Sequence, residues 1–176
     1  MTVYNLRTLK SIHTEIVSIE GAQAEVGNLF ICSKVWPDLA NNNSASFLLA
    51  TGTSEVEMQI QLDCEGNAEF RMYEDLEIDG SGGSVTPRNF NRQIGDNANF
   101  ITVYSDPLVT ADSFGTLILE DYIMSGEGQK SEGGANAQDV EFTLKTDSLY
   151  YLQIINTAGS AKAIVMDIEV FQKKTE

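Results

Sequence analysis

The sequence predicts an all-β protein: an antiparallel β-sandwich, jelly-roll-like, of about ten strands. Three observations carry this expectation. The dominant hydrophobic period is two. Short apolar runs recur along the chain, separated by Gly, Asn, Asp and Ser clusters such as "PDLANNNS", "DGSGGS" and "NTAGSA". No stretch offers a capped apolar stripe at helical spacing.

The first strand candidate is "TEIVSIE" (14–20), followed by "NLFICSKVW" (28–36). "VWPDLANN", around Trp36-Pro37, is the one place where a short helical turn is expected. "SFLLAT" (46–51) comes next. In "EVEMQIQL", Val56, Met58, Ile60 and Leu62 face one way, and Glu55, Glu57, Gln59 and Gln61 the other. That is a half-buried strand with one wet face. "AEFRMYE" follows after Glu65-Gly66-Asn67, and the two are expected to pair as an antiparallel hairpin. The later candidates are "NFITVYS" (99–105), "GTLILEDYIM" (115–124), "DVEFTLK" (139–145), "LYYLQII" (149–155) and "AIVMDIEVF" (163–171). The Gly-rich segment Ser125 to Gln138 lies between two apolar strands and is expected to be an exposed loop.

A length of 176 residues fits one domain. Such a chain buries roughly 70% of its unfolded surface and builds a core without staples. Residues 1–13 are expected to form an N-terminal arm, 14–172 a single sandwich and 173–176 a tail. There is no internal repeat and no linker. The N-terminus lacks an apolar signal region, and no apolar run is long enough to cross a bilayer, so the protein is expected to be made in a cytoplasm and to be soluble.

With 26 acidic against 11 basic residues, the net charge is −15. A surface of that sign repels nucleic-acid phosphates and anionic membranes, so neither is an expected partner. It suits solubility at high concentration or a partner with a basic face.

Signals for chemistry are weak, and no enzymatic activity or cofactor is expected. His13 is the only histidine, so any Ser/His/Asp or Cys/His arrangement would need it. Carboxylate pairs such as Glu74-Asp75 and Glu120-Asp121 occur by chance in so acidic a chain, and solvated strand faces explain them. Asp75, Glu77, Asp79 and Gly80 match the first, third, fifth and sixth places of a calcium loop, but the twelfth is Thr86, where a bidentate Glu is needed. An Asp-Gly turn accounts for the same letters, and no metal is expected. Cys32 and Cys64 show neither disulfide-framework nor zinc spacing; Cys32 reads as a buried hydrophobe, and a bridge between the two is left open. Trp36 and the Tyr150-Tyr151 pair are the aromatics most relevant to sugar binding. Adjacent strand residues point to opposite faces, so only one of the two tyrosines can stand on an outer platform.

The stretch "TPRNFNRQ" gathers two of the chain's four arginines. In extended backbone Asn89 and Asn91 would share one face and Arg88, Phe90 and Arg92 the other. One reading is a polar strand entry, with asparagines satisfying backbone groups and arginines forked onto acidic neighbours. The other is partner binding, in which Arg88, Asn89, Asn91 and Arg92 reach a neighbouring subunit.

Several segments form a familiar series: Tyr73-Glu74, Gly80 to Gly83, Asn89 to Arg92, Pro107 to Thr116, Leu144 to Asn156 and Ala163 to Phe171. In order and spacing this series resembles a family of tailed-bacteriophage capsid decoration, or cement, proteins. The resemblance runs from about Leu48 to Phe171; the first 47 residues match nothing in it. The last strand ends Glu169-Val170-Phe171, where the family has an aromatic pair near Glu-Trp-Tyr. The resemblance implies a structural virion protein with a jelly-roll-like sandwich, bound to the capsid exterior and bridging capsid subunits to stabilise the mature shell. It implies the major capsid protein as a partner. The protein itself is a second expected partner, because exposed sheet edges associate with twofold symmetry: a homodimer first, a trimer second. The alternative is a carbohydrate-binding sandwich on a head or tail fibre, which needs a solvent-facing aromatic row. A small glycan hydrolase, with two convergent carboxylates, is the third reading.

Overall fold

A computed structural model describes residues 27–80, 82–109, 114–124 and 140–173. The strand expected at 14–20, the arm at 1–13, His13 and the loop from Ser125 to Gln138 lie outside the described residues.

Thirteen strands and no helix form among the described residues. Eight make the frame: β1 (Leu29–Leu39), β2 (Ser44–Thr51), β3 (Val56–Cys64), β4 (Ala68–Glu74), β10 (Thr116–Ile123), β11 (Val140–Leu144), β12 (Leu149–Asn156) and β13 (Lys162–Gln172). Five short strands lie between β4 and β10: β5 (Ile78–Gly80), β6 (Gly83–Val85), β7 (Arg88–Asn89), β8 (Ile101–Ser105) and β9 (Leu108–Val109). One sheet has the order β11-β3-β13-β1-β7, and the other β10-β4-β12-β2-β8-β6.

The pairing of the eight frame strands is nested. The first pairs with the last (β1 with β13), the second with the seventh (β2 with β12), the third with the sixth (β3 with β11), and the fourth with the fifth (β4 with β10), all antiparallel. Contacts of β13 with β3 and of β12 with β4 join these pairs into the two sheets. A long hairpin rolled up on itself gives this order, which is that of a jelly roll.

The expected hairpin between β3 and β4 does not form. Each strand lies in a different sheet, and Glu65-Gly66-Asn67 carries the chain across the sandwich. The reason is burial. In a hairpin the apolar faces of β3 and β4 would lie side by side. In opposite sheets, Val56, Met58, Ile60 and Leu62 face Ala68, Phe70 and Met72 and all join one buried cluster. Each full burial of such a side chain stabilises by about 1.5–3 kcal/mol. Turn letters do not distinguish a tight reversal from a crossover. The helical turn expected at Trp36-Pro37 is also absent: β1 runs on to Leu39, with a register shift between Trp36 and Leu39 where Pro37 removes a ladder donor.

Alternation is clearest in β3 and β13. In β13, Ile164, Met166, Ile168 and Val170 are buried while Val165, Asp167 and Glu169 are only half-buried. Asn156, fully buried at the end of β12, acts as a staple. Its Nδ2 donates to the carbonyls of Leu39 (2.7 Å) and Ser160 (2.8 Å), and its Oδ1 accepts from Ala158 N (2.9 Å). Cys32 and Cys64 are free and buried, so the bridge left open by the sequence is not formed. Burial pushes both thiols up to about 12, helped at Cys64 by the neighbouring Asp63. Neither is a nucleophile at neutral pH.

Candidate functional site

The arginine-asparagine stretch closes the β1 edge of the five-stranded sheet. Arg88 and Asn89 pair with Ile31 and Phe30, and Phe90 N donates to Leu29 O. The extended geometry stops there. Ile94 N donates to Asn91 O in a turn, so Asn89 and Asn91 do not share a strand face as the sequence suggested. Asn89 is buried and its Nδ2 donates to Gly27 O (2.9 Å), while its Oδ1 accepts from Asn91 N (2.9 Å). Asn91 Oδ1 accepts in turn from Gln93 N (3.1 Å).

Asp96, which the sequence did not single out, organises this loop. Arg88 reaches its Oδ2 at 2.7 Å, Arg92 reaches its Oδ1 at 2.6 Å, and Asn89 N donates to Oδ1 at 2.8 Å. The Arg88 hydrogen bond, the Asn89 amide and Arg92 together lower its carboxyl to about 2. Both guanidinium groups remain largely in solvent, with 61% and 65% of the side-chain surface exposed. Arg88, Asn89, Asn91 and Arg92 therefore form one polar knot, and the two arginines can still offer donors outward. An Arg-Asn-x-Asn-Arg run followed within a few residues by a lone Asp is the signal that would have found the hub.

A second constellation covers the outer face of the six-stranded sheet. Direct cross-strand neighbours there make one row: Leu117, Tyr73, Tyr151, Leu48, Tyr104 and Ser84. Of the two adjacent tyrosines, Tyr150 enters the main core and Tyr151 the outer row. This is the aromatic row a sugar-binding sheet needs, but it is roofed. Tyr151 is buried, and Leu76, Ile78 and Phe114 pack on the row, with Phe114 5.5 Å from Tyr73 and 6.2 Å from Tyr151.

The roof is built by one device used twice. After β4, Asp75 turns with φ 57°, β5 follows, and Gly82 returns the chain with φ 77°. After β8, Asp106 turns with φ 49°, β9 follows, and Gly115 returns it with φ 74°. β5 and β9 pair with each other as a ribbon. A Cβ on Gly82 would stand 2.3 Å from Ser105 O, and one on Gly115 2.2 Å from Glu74 O. Only glycine allows such an approach in a left-handed conformation. The letters Tyr73-x-Asp75 and Tyr104-x-Asp106 mark the two copies, a repeat of conformation where no repeat was expected from sequence.

The calcium-loop letters are absorbed by this device. Asp75 Oδ2 faces Lys145 Nζ at 3.5 Å, and Gly80 lies in β5. No group of three or more acidic, Cys or His side chains suited to a metal occurs among the described residues. Trp36 is no open platform either: it packs edge-on against Phe47, with Lys34 over its ring and its Nε1 donating to Asp106.

No family model matches the chain, and no curated protein matches it. Among solved structures, the VP2 subviral particle of infectious bursal disease virus aligns over 82% of this chain and 42% of its own, at 10% identity and a TM-score of 0.13. The chain thus spans less than half the length of that protein. A similarity of this size carries no argument, and the jelly-roll assignment rests on the strand order alone.

Proposed function

We propose that the chain is a structural virion protein that binds the exterior of a bacteriophage capsid and stabilises the mature shell by bridging capsid subunits. The observation that carries this reading is the nested order of the eight frame strands, an architecture that viral capsid and lectin domains use. The ordered segments from Tyr73 to Phe171 support the same family. Within the lectin-like alternative, the aromatic row would have to be open, and its roof of Leu76, Ile78 and Phe114 speaks against a sugar platform.

On this reading the protein works by adhesion and turns over no substrate. Its partner is the major capsid protein. Weak contacts that fail singly succeed when one molecule straddles several shell subunits, because the second contact is intramolecular. Binding to the closed shell alone opposes opening by mass action. An acidic surface keeps a densely coated particle dispersed. Arg88 and Arg92, each with donors left over from Asp96, are the groups we assign to the shell contact.

The test is co-sedimentation of the purified chain with precursor and mature heads. Near-stoichiometric retention on mature heads, with weak or no retention on precursor shells, is the expected result. Localisation to tail tips alone, or turnover of any glycan, would overturn the reading.

A further inference from the structure

Seven large hydrophobic side chains stand exposed among the described residues, and six of them fall into two groups. Phe90 (55% exposed) and Ile94 lie in the Arg88–Asp96 loop beside β7. Leu117, Ile118, Tyr122 (60%) and Met124 (76%) lie on or next to β10. Each group carries its own charge. Arg88 and Arg92 outnumber Asp96 around Phe90. On the face of β10 and β4 that carries Tyr122, Glu120 and Glu69 share the single cation Arg71, which leaves that face net negative. The first patch is apolar and basic, the second apolar and acidic.

The topology places the patches on opposite flanks. β10 ends the six-stranded sheet, and β7 ends the five-stranded sheet beside β1. β1 lies over β2, as the Trp36–Phe47 ring contact records, so β7 overhangs the β8 side, three or more strands from β10. At about 4.8 Å per strand the patches are roughly 15–20 Å apart across the sheet.

We propose that copies of this chain associate head to tail, the Arg88–Phe90–Arg92–Ile94 patch of one copy seating on the β10 patch of the next. Charge complementarity selects this pairing. A twofold contact of β10 on β10 would set Glu120 and Glu69 against their own copies, and a twofold contact of the loops would set arginine against arginine. Like charges placed directly opposite destabilise. Strand addition at β10 is also discouraged, because the register shifts between Leu117 and Leu119 and the edge is acidic. The contact is therefore between side chains: exposed aromatic and arginine anchors on one side, an apolar acidic surface on the other. A heterologous contact of this kind closes into a ring or grows into an open chain. This replaces the twofold dimer that sheet edges alone suggest; it shares Arg88 and Arg92 with the shell contact proposed above, and is tested on the free chain.

Sedimentation velocity of the full chain tests it, from about 10 μM to a concentration on the order of 1 mM, where contacts of this weak class populate. The wild-type chain is expected to grow with concentration, and less so at high salt. Phe90→Asp and Tyr122→Asp should each weaken self-association at least about tenfold, with an unchanged circular dichroism spectrum. Each variant retains one good patch, so their equimolar mixture should form a 1:1 dimer that does not grow. A monomeric wild type, a Phe90→Asp chain that still associates, or two variants that fail to combine would each overturn the proposal. Loss of shell binding with intact self-association would instead count only against the function proposed above.

Discussion

The space between the two sheets and the outer face of the six-stranded sheet are both packed, by different means. Between the sheets, residues from all eight frame strands contribute, and Phe47, Leu49, Met58, Leu152, Ile154, Met166 and Ile168 are wholly buried. On the outer face the buried apolar cluster among the described residues is Leu48, Leu76 and Tyr151, with half-buried Tyr73, Tyr104, Ile78, Phe114 and Leu149 around them. The first core is mostly aliphatic, with Phe30, Phe47, Phe70, Phe100 and Tyr150 among its members, and is closed by sheet on sheet. The second is aromatic-rich and is closed by an insertion, the β5–β9 ribbon. A sheet buried on one side only would read as alternating. β2 instead reads as the continuous run Ser46 to Thr51, because both of its faces are covered. An unbroken apolar run in an otherwise alternating sandwich is thus a sign that something lies on the outer face.

Adjacent residues of one strand put this comparison to a direct test. Leu152→Ala, in the main core, should cost about 4 kcal/mol, because eight strands hold the cavity open. Tyr151→Ala, its neighbour on the outer face, should cost about 2 kcal/mol, since the ribbon can settle onto the gap. Urea unfolding of the two variants measures the difference; equal losses would mean that the outer cluster is as rigidly framed as the inner one.

A smaller and more local effect is expected at the turns of the ribbon. Gly115→Ala forces a Cβ against Glu74 O at a left-handed φ, which should cost about 2 kcal/mol. Amide exchange should then quicken in β5 and β9 while β12 and β13 keep their protection. Uniform loss of protection would show that ribbon and sandwich open as one unit.

The smallest effect concerns the knot at the β1 edge. The Asp96 carboxyl is lowered to about 2, against an unfolded value near 3.9. Its stabilisation is therefore fully present above about pH 4 and is lost as pH falls through about 2. Asp96→Asn should flatten the fall in stability over that window relative to wild type, and leave the rest of the acid profile unchanged. An identical slope in the variant would mean that the arginines give the carboxylate no net support.

The segments that resemble the decoration family also divide along this line. Asn89 staples Gly27 and the turn at Asn91, Asp106 and Gly115 build the ribbon, and Asn156 ties two loops together. Each letter answers a backbone requirement, so the series describes a fold and its fastenings. The exposed residues proposed for docking, Phe90, Tyr122 and Met124, answer no such requirement, and nothing in the local pattern marks them. What buries Tyr151 was equally illegible, since the unbroken run Leu149 to Leu152 marks a covered strand but not the β5–β9 ribbon that covers it.

The period of two determined that the chain would be an antiparallel sandwich and which residues of its alternating strands would face the core, because alternation is a local property. Which strands became neighbours was decided only in three dimensions. β3 and β4 are joined by three residues, yet they lie in opposite sheets, because their apolar faces gain more by opposing each other than by lying side by side. The same holds for the β5–β9 ribbon: Ile78 pairs with Val109 across a stretch of chain whose local pattern encodes no such partner, and contact energy, not periodicity, selects it. Asp96 differs, because Arg88, Asn89 and Arg92 all lie within its own loop.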